Sequence, residues 1–223
     1  NENTGIAKAV NTGVQFASAQ GFEWALLMDQ DSFFEEKMIQ MYLAGFNELT
    51  DIRTVAVIGP SIEKKKENIS VSKINSVNSL ITSGSIINVK IFISTGSYNE
   101  KLFIDEVDHE YCYRARLQGY SILQMTNIFM EHSLGKQSQI TTILHKKKIK
   151  SFHSPVRLYY IVRNCCYIIS IYKKKFPEEI KLKRKDMLVR IKNNFLYGNN
   201  RLSTLKHVIL GFVHYKMKRF GKL

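Results

Sequence analysis

The sequence predicts an α/β fold, a mixed and mostly parallel sheet flanked by helices, with a basic helical extension behind it. Three observations carry this. Helical apolar periods alternate with short apolar runs through the first half of the chain. Polar clusters sit where those runs end. The charge also changes sign along the chain: residues 1–145 hold 12 basic and 16 acidic side chains, whereas residues 146–223 hold 21 basic and 3 acidic. Two domains are expected on that boundary, a catalytic-type α/β domain over 1–145 and a basic helical region over 146–223. A chain of 223 residues is long enough to bury a core of its own.

Taken in order, the near-helical spacing of Ile6, Ala7, Val10, Val14, Phe16, Ala17 and Ala19 predicts a first helix that Gly21 stops. A strand follows at Trp24 to Met28, then a helix from about Phe34 to Leu49. Thr54 to Ile58 reads as a strand closed by Gly59-Pro60, and Lys64 to Asn68 as a charged loop. Further strands are expected at Ser85 to Val89, Ser121 to Gln124 and Ile128 to Glu131, with a helix from about Glu106 to Gln118 ended by Gly119. The extension reads as three helices, Pro155 to Tyr172, Glu178 to Phe195 and Thr204 to Phe220, broken at Phe176-Pro177 and at Tyr197-Gly198-Asn199-Asn200.

Cys112, Cys165 and Cys166 make neither a disulfide framework nor a CxxC zinc pattern, which points to a reducing cytoplasm. No apolar run reaches the length of a membrane span, and the best candidate, Leu158 to Tyr172, is interrupted by Arg163 and Asn164.

The strand at Trp24 to Met28 ends in Asp29-Gln30-Asp31-Ser32. Two carboxylates one residue apart at a strand end suit a hard cation such as Mg²⁺ or Mn²⁺, whose open positions accept phosphate oxygens. The competing reading is an ordinary turn, with Ser32 capping the next helix. Downstream, Asp105, Glu106, Asp108 and Glu110 crowd around His109. On a helix beginning near Asp105, positions 105, 108 and 112 share a side, which offers a general base to a cleft. The same acids also fit an N-cap at Asp105 and a surface ion pair between Glu110 and Arg114. Thr82-Ser83-Gly84-Ser85 precedes a strand and leaves room for a phosphate. His132, directly after a strand, is placed either to give a cation an imidazole ligand or to serve as a hydrogen-bonded loop residue. Ligands of open α/β sheets collect at such strand ends.

These segments together resemble the bacterial inverting family 2 glycosyltransferases, the rhamnosyltransferases of polysaccharide assembly among them. The resemblance runs through Asn3 to Gly13, Leu26 to Ser32, Thr82 to Ser85, Phe103 to Arg114, His132 to Gly135 and Arg157 to Asn164, in that order. It implies a GT-A fold. It also implies that Asp29 and Asp31 hold the metal and the donor diphosphate, that Gly84 and Ser85 lie beside donor sugar and acceptor, that Asp108 is the catalytic base and that His132 is a later metal ligand. The implied cofactors are Mg²⁺ or Mn²⁺ and a nucleotide-diphospho-sugar, dTDP-rhamnose or a UDP-sugar. The implied acceptor is a lipid-linked or growing cell-surface glycan.

The family's first βαβ unit, normally upstream of the Asn-x-Gly segment, has no counterpart ahead of Asn3, so an N-terminally truncated domain is expected. The basic region calls for a polyanionic partner. In Thr204 to Phe220, Leu205, Val208, Ile209, Phe212, Val213 and Met217 are interspersed with Lys206, His207, Lys216, Lys218 and Arg219, which predicts peripheral contact with the inner face of the plasma membrane. Packing of that stripe on the catalytic domain is the competing reading. Two other classes are a non-catalytic sugar-binding or relic domain and a basic nucleic-acid-binding protein, the latter lacking any recognisable motif.

Overall fold

A computed structural model describes residues 3–62, 74–132, 137–141 and 147–223, with the backbone alone described for 132, 137–141 and 147–151. The charged loop expected at Lys64 to Asn68 and the Ser133-Leu134-Gly135 segment lie outside those residues. The chain divides into two units, residues 1–100 with 107–133, and residues 101–106 with 134–223.

In the first unit, α1 (Ile6–Ala19) starts after Gly5, whose positive φ of 86° aims its N–H at Asn3 Oδ1, 3.0 Å away. A five-stranded sheet has the order β1-β5-β3-β6-β4, built from β1 (Trp24–Leu26), β3 (Val55–Ser61), β4 (Ile74–Ser76), β5 (Ile86–Asn88) and β6 (Ser121–Phe129). The sheet is mixed as expected. Parallel pairing joins β3 to β6, while β1–β5, β3–β5 and β4–β6 are antiparallel, so among the described residues parallel ladders occupy the middle of the sheet rather than most of it. β3 is buried at every position, as a continuous apolar run in a central strand requires. It also runs through Gly59-Pro60, where a stop is expected. Pro60 is accommodated because the register shifts between Pro60 and Ser61, and a bulge tolerates a residue with no N–H to give.

The two strands expected at 121–124 and 128–131 are one strand, β6, followed by the short β7 (Glu131–His132), which pairs antiparallel with β2 (Ser32–Phe33). α2 (Glu36–Asn47) covers the sheet through Tyr42, which packs with Val55, Ile58, Ile86, Met125 and Ile128. α3 (Val89–Ser94) and α4 (Val107–Leu117) complete the described helices of this unit.

The second unit holds an antiparallel ladder, β8 (Gln137–Thr141) with β9 (Lys147–Ser151), and three helices, α5 (Pro155–Tyr172), α6 (Pro177–Tyr197) and α7 (Arg201–Lys216). Ser154 caps α5 by accepting the Arg157 N–H at 3.2 Å, and Pro155 occupies the first turn, where its missing N–H costs nothing. Leu158, Ile161, Val162, Cys165, Met187 and Val208 form the core. Arg163 and Asn164, the polar pair inside α5, are both fully buried. Arg163 reaches the carbonyl oxygens of Leu102 at 3.0 Å and Gly221 at 2.8 Å, with the rings of Tyr159, Tyr160 and Phe220 5.1–5.5 Å from its guanidinium carbon. Asn164 Nδ2 lies 2.7–2.9 Å from the carbonyl oxygens of Leu102, Ile104 and Asp105. These contacts hold a segment whose Phe103, Asp105 and Glu106 all have φ between 61° and 68°. Among the described residues no helix is long and apolar enough to cross a membrane.

Candidate active site

Asp29, Asp31, Gly84, Ser85, Asp108 and His132 fall in the first unit, and Asp105 and Glu106 in the second. β1 delivers Asp29 to the loop Thr82–Ser85. The ladder continues past Leu26 through Leu27 N–H to Ser85 O and Gly84 N–H to Leu27 O, each 2.8 Å, and Asp29 N–H then donates to Ser83 Oγ at 3.1 Å. Asp29 to Ser32 is a tight turn, closed by Ser32 N–H to Asp29 O at 3.2 Å. Ser32 does not cap a helix. It opens β2, and the residue before α2 is Glu35, whose side chain makes no capping bond. The turn is therefore held at both ends, with Asp29 half-buried and Asp31 exposed.

Gly84 has φ +76°, and a Cβ there would stand 2.7 Å from Met130 Sδ and 2.9 Å from Pro60 Cγ. Only glycine fits, both for the conformation and for the space. Its carbonyl oxygen lies 2.9 Å from Tyr42 Oη, which is also 2.8 Å from Ile58 O. Burial pushes the Tyr42 phenol well above its ordinary range, so it remains a donor. Ser83 and Ser85 are buried, and Ser85 Oγ donates to Ile81 O at 2.6 Å, inside the loop itself.

The acidic cluster sorts into distinct tasks. Asp105 lies ahead of α4 in a left-handed conformation, so it does not share a helical face with Asp108 as the spacing predicts; Arg157 holds its carboxylate at 3.1 Å. Glu106 pairs with Lys183 at 2.5 Å. Glu110 does pair with Arg114, bidentately at 2.8 and 3.1 Å, but with Glu110 buried and Arg114 half-buried rather than at the surface as expected, and Arg114 also reaches Ser97 O at 2.6 Å and Thr95 O. Asp108 stands in the first turn of α4. Its Oδ2 accepts the Thr82 N–H at 3.3 Å and its Oδ1 accepts the His109 N–H at 2.8 Å. His109 Nδ1 is 3.1 Å from the same Oδ1, without the alignment of a hydrogen bond.

Adjacent residues of one loop, Thr82 and Ser83, thus touch Asp108 and the Asp29 backbone. The loop is braced from behind. Asn11, buried on α1, exchanges two bonds with the Tyr98 backbone at 2.8 and 2.9 Å, and Tyr98 Oη lies 3.2 Å from Thr82 Oγ1. Burial, and then the Asp108 charge, holds the Tyr98 phenol well above its usual range. Sequence reasoning did not single out Asn11, Tyr42 or Tyr98. The signal for Asn11 was there: it stands between Ala7 and Val14 in the buried stripe of α1, where a polar side chain needs partners.

The β2–β7 register sets His132 opposite Ser32, one residue from Asp31, so the backbone brings it beside the Asp29–Ser32 turn; its side chain is outside the described atoms. Among the described residues no group of three or more His, Cys, Asp or Glu side chains is arranged to hold a metal ion. The donors present, two carboxylates on one turn with an imidazole-bearing residue next to it in the ladder, have the chemistry that Mg²⁺ or Mn²⁺ takes.

In sequence the chain is similar to a bacterial rhamnosyl transferase, and in fold to a solved bacterial structure. In particular, it is similar to the dTDP-rhamnosyl transferase RfbF of Shigella flexneri, with 29% identity over 186 residues, 75% of this chain and 60% of RfbF. The chain therefore spans about three fifths of that relative's length. Among solved structures its fold is similar to the crystal structure of S. aureus TarS 1-349, with TM-score 0.52 and 13% identity over 96% of this chain and 61% of that one. No family model matches.

Proposed function

We propose that this chain transfers a sugar, rhamnose first among the candidates, from a nucleotide-diphosphate donor to a growing cell-surface glycan, with inversion at the anomeric carbon. dTDP-rhamnose is the first donor to test and a UDP-sugar the second. Asp108 is the general base: its carboxylate takes the proton of the acceptor hydroxyl as that oxygen bonds to the anomeric carbon. The bond from that carbon to the diphosphate breaks in the same step, and the electron pair leaves with the nucleoside diphosphate. Gly84 and Ser85 border the donor sugar. A divalent cation bound by Asp29 and Asp31 with His132 would offset the charge gathering on the diphosphate.

The observation that supports this reading best is the Thr82–Ser83 step, which holds the base and the start of the Asp29 turn on neighbouring residues. The basic helical region is assigned to the cytoplasmic membrane face, where a lipid-linked acceptor is presented. Donor hydrolysis and transfer by the full chain, assayed with Mn²⁺ and again with EDTA, test the proposal. Turnover that stops with EDTA and returns with Mn²⁺ is the expected result. Donor binding by calorimetry with no turnover under either condition would favour the non-catalytic sugar-binding alternative.

A further inference from the structure

α7 buries its small residues and exposes its large ones. Thr204, Val208 and Gly211 are buried, and a methyl at Gly211 would stand 2.9 Å from the Tyr159 carbonyl oxygen, so this stripe lies tight against α5. Leu202, Leu205, Ile209, Phe212 and Val213, spaced i, i+3, i+7, i+10 and i+11, share the other side of the helix and are all exposed, Leu202 by 83% and Ile209 by 52%. This corrects the sequence reading, in which Val208 belongs with that stripe. Lys206 and Lys216 edge the exposed face, and Lys218 and Arg219 follow it, all exposed.

A groove on α6 repeats the mixture, with Leu188 and Val189 among Lys181, Arg184, Lys185 and Lys192. The acidic residues of residues 146–223 are Glu178 and Glu179 in the first turn of α6 and Asp186, which Arg190 holds at 2.7 Å.

We propose that the exposed apolar face of α7 lies in the interfacial layer of a bilayer rich in anionic phospholipid, its large side chains entering the acyl boundary while the neighbouring lysines and arginines meet headgroup phosphates. Long cationic side chains beside an apolar stripe suit that layer, because their stems lie along apolar surface and their charges reach the phosphates. A second copy of the chain would bring a strongly positive surface against its like. A nucleic acid answers the charge and leaves the leucines and phenylalanine in water. The inference rests on the reading that the basic region meets a membrane, and it names the element that enters.

The test is sedimentation of the full chain with vesicles of equal parts phosphatidylglycerol and phosphatidylcholine, and with phosphatidylcholine alone. The variant Ile209→Trp is read by fluorescence against the unmodified chain, whose own tryptophan is Trp24. Binding to the anionic vesicles only, a blue shift of the new tryptophan and its quenching by brominated acyl chains are expected. Ile209→Glu or Leu205→Glu, both at exposed positions, weakens binding about tenfold or more while the circular dichroism melt is kept. Sedimentation without a shift or quenching overturns the entry of α7 and leaves membrane contact standing. No sedimentation with anionic vesicles ends both. A chain that forms dimers by light scattering and becomes monomeric on Ile209→Glu, with no vesicle binding, assigns the face to a second copy instead.

Discussion

The Thr82 backbone N–H donates to Asp108 Oδ2 at 3.3 Å, and Ser83, the next residue, accepts the Asp29 N–H through Oγ. Two segments separated by about eighty residues are thereby referred to two adjacent residues. Asp105, Glu106 and Glu110, the other acids of the cluster, each hold a lysine or arginine. A carboxylate that accepts from the backbone N–H groups of Thr82 and His109 keeps its orientation.

Asp108→Asn preserves shape and removes the proton acceptor. The expected outcome is a fall in kcat of about 10²–10⁴-fold with little change in donor affinity, measured by steady-state transfer together with calorimetric titration of the donor. An unchanged kcat removes Asp108 as the base.

Gly84→Ala places a methyl against Met130 Sδ and Pro60 Cγ at a position with φ +76°. A loss of about 2 kcal/mol or more is expected in chemical denaturation, with activity falling alongside because both Asp29 and Asp108 are held by this loop. Stability equal to the parent chain would show that the loop relaxes at little cost.

Glu110→Ala takes the carboxylate from the Arg114 guanidinium, which is about one fifth exposed and keeps its bonds to the Thr95 and Ser97 carbonyl oxygens, so unfolding by urea should show a loss of about 3 kcal/mol. Glu110→Gln keeps part of the hydrogen bonding and should lose less. If kcat per folded molecule of the glutamine variant dropped as far as in Asp108→Asn, the two acids would have to exchange roles.

Burial, and then the Arg190 and Arg157 charges, bring His153 down from 6.5 to about 4. Between those values the unfolded chain carries the extra proton, so stability is full above pH 6.5 and falls as the pH drops towards 4. The loss is on the order of 1–2 kcal/mol once solvent screening is allowed for. Melting temperature followed across that window should slope downward with acid, and His153→Gln should flatten the slope.

Much of this was legible in the sequence because it depends on local chemistry. α1 spans Ile6 to Ala19, the ends of its apolar period, the helix from about 106 lies within a residue of α4, and α5 covers Pro155 to Tyr172 as expected. Positions fixed by distant partners were not legible. Ser32 has the composition of a cap and joins a strand because β7 is there to pair with it. Asp105 has the composition of a helix start and is turned away because Arg157 and Asn164, more than fifty residues on, hold its carboxylate and its carbonyl. The dominance of antiparallel pairing escaped for the same reason: apolar alternation marks a strand and says nothing of its neighbour's direction.

The Arg163–Asn164 pair makes the shape of residues 101–105 a property of α5. A peptide of residues 103–106 alone would have no reason to adopt three left-handed residues in four, since the Asn164 amide that answers the Ile104 and Asp105 carbonyl groups lies on α5. Its conformation is imposed at a distance, so drift in α5 at those two positions must reshape the earlier segment even where that segment's own letters stay the same.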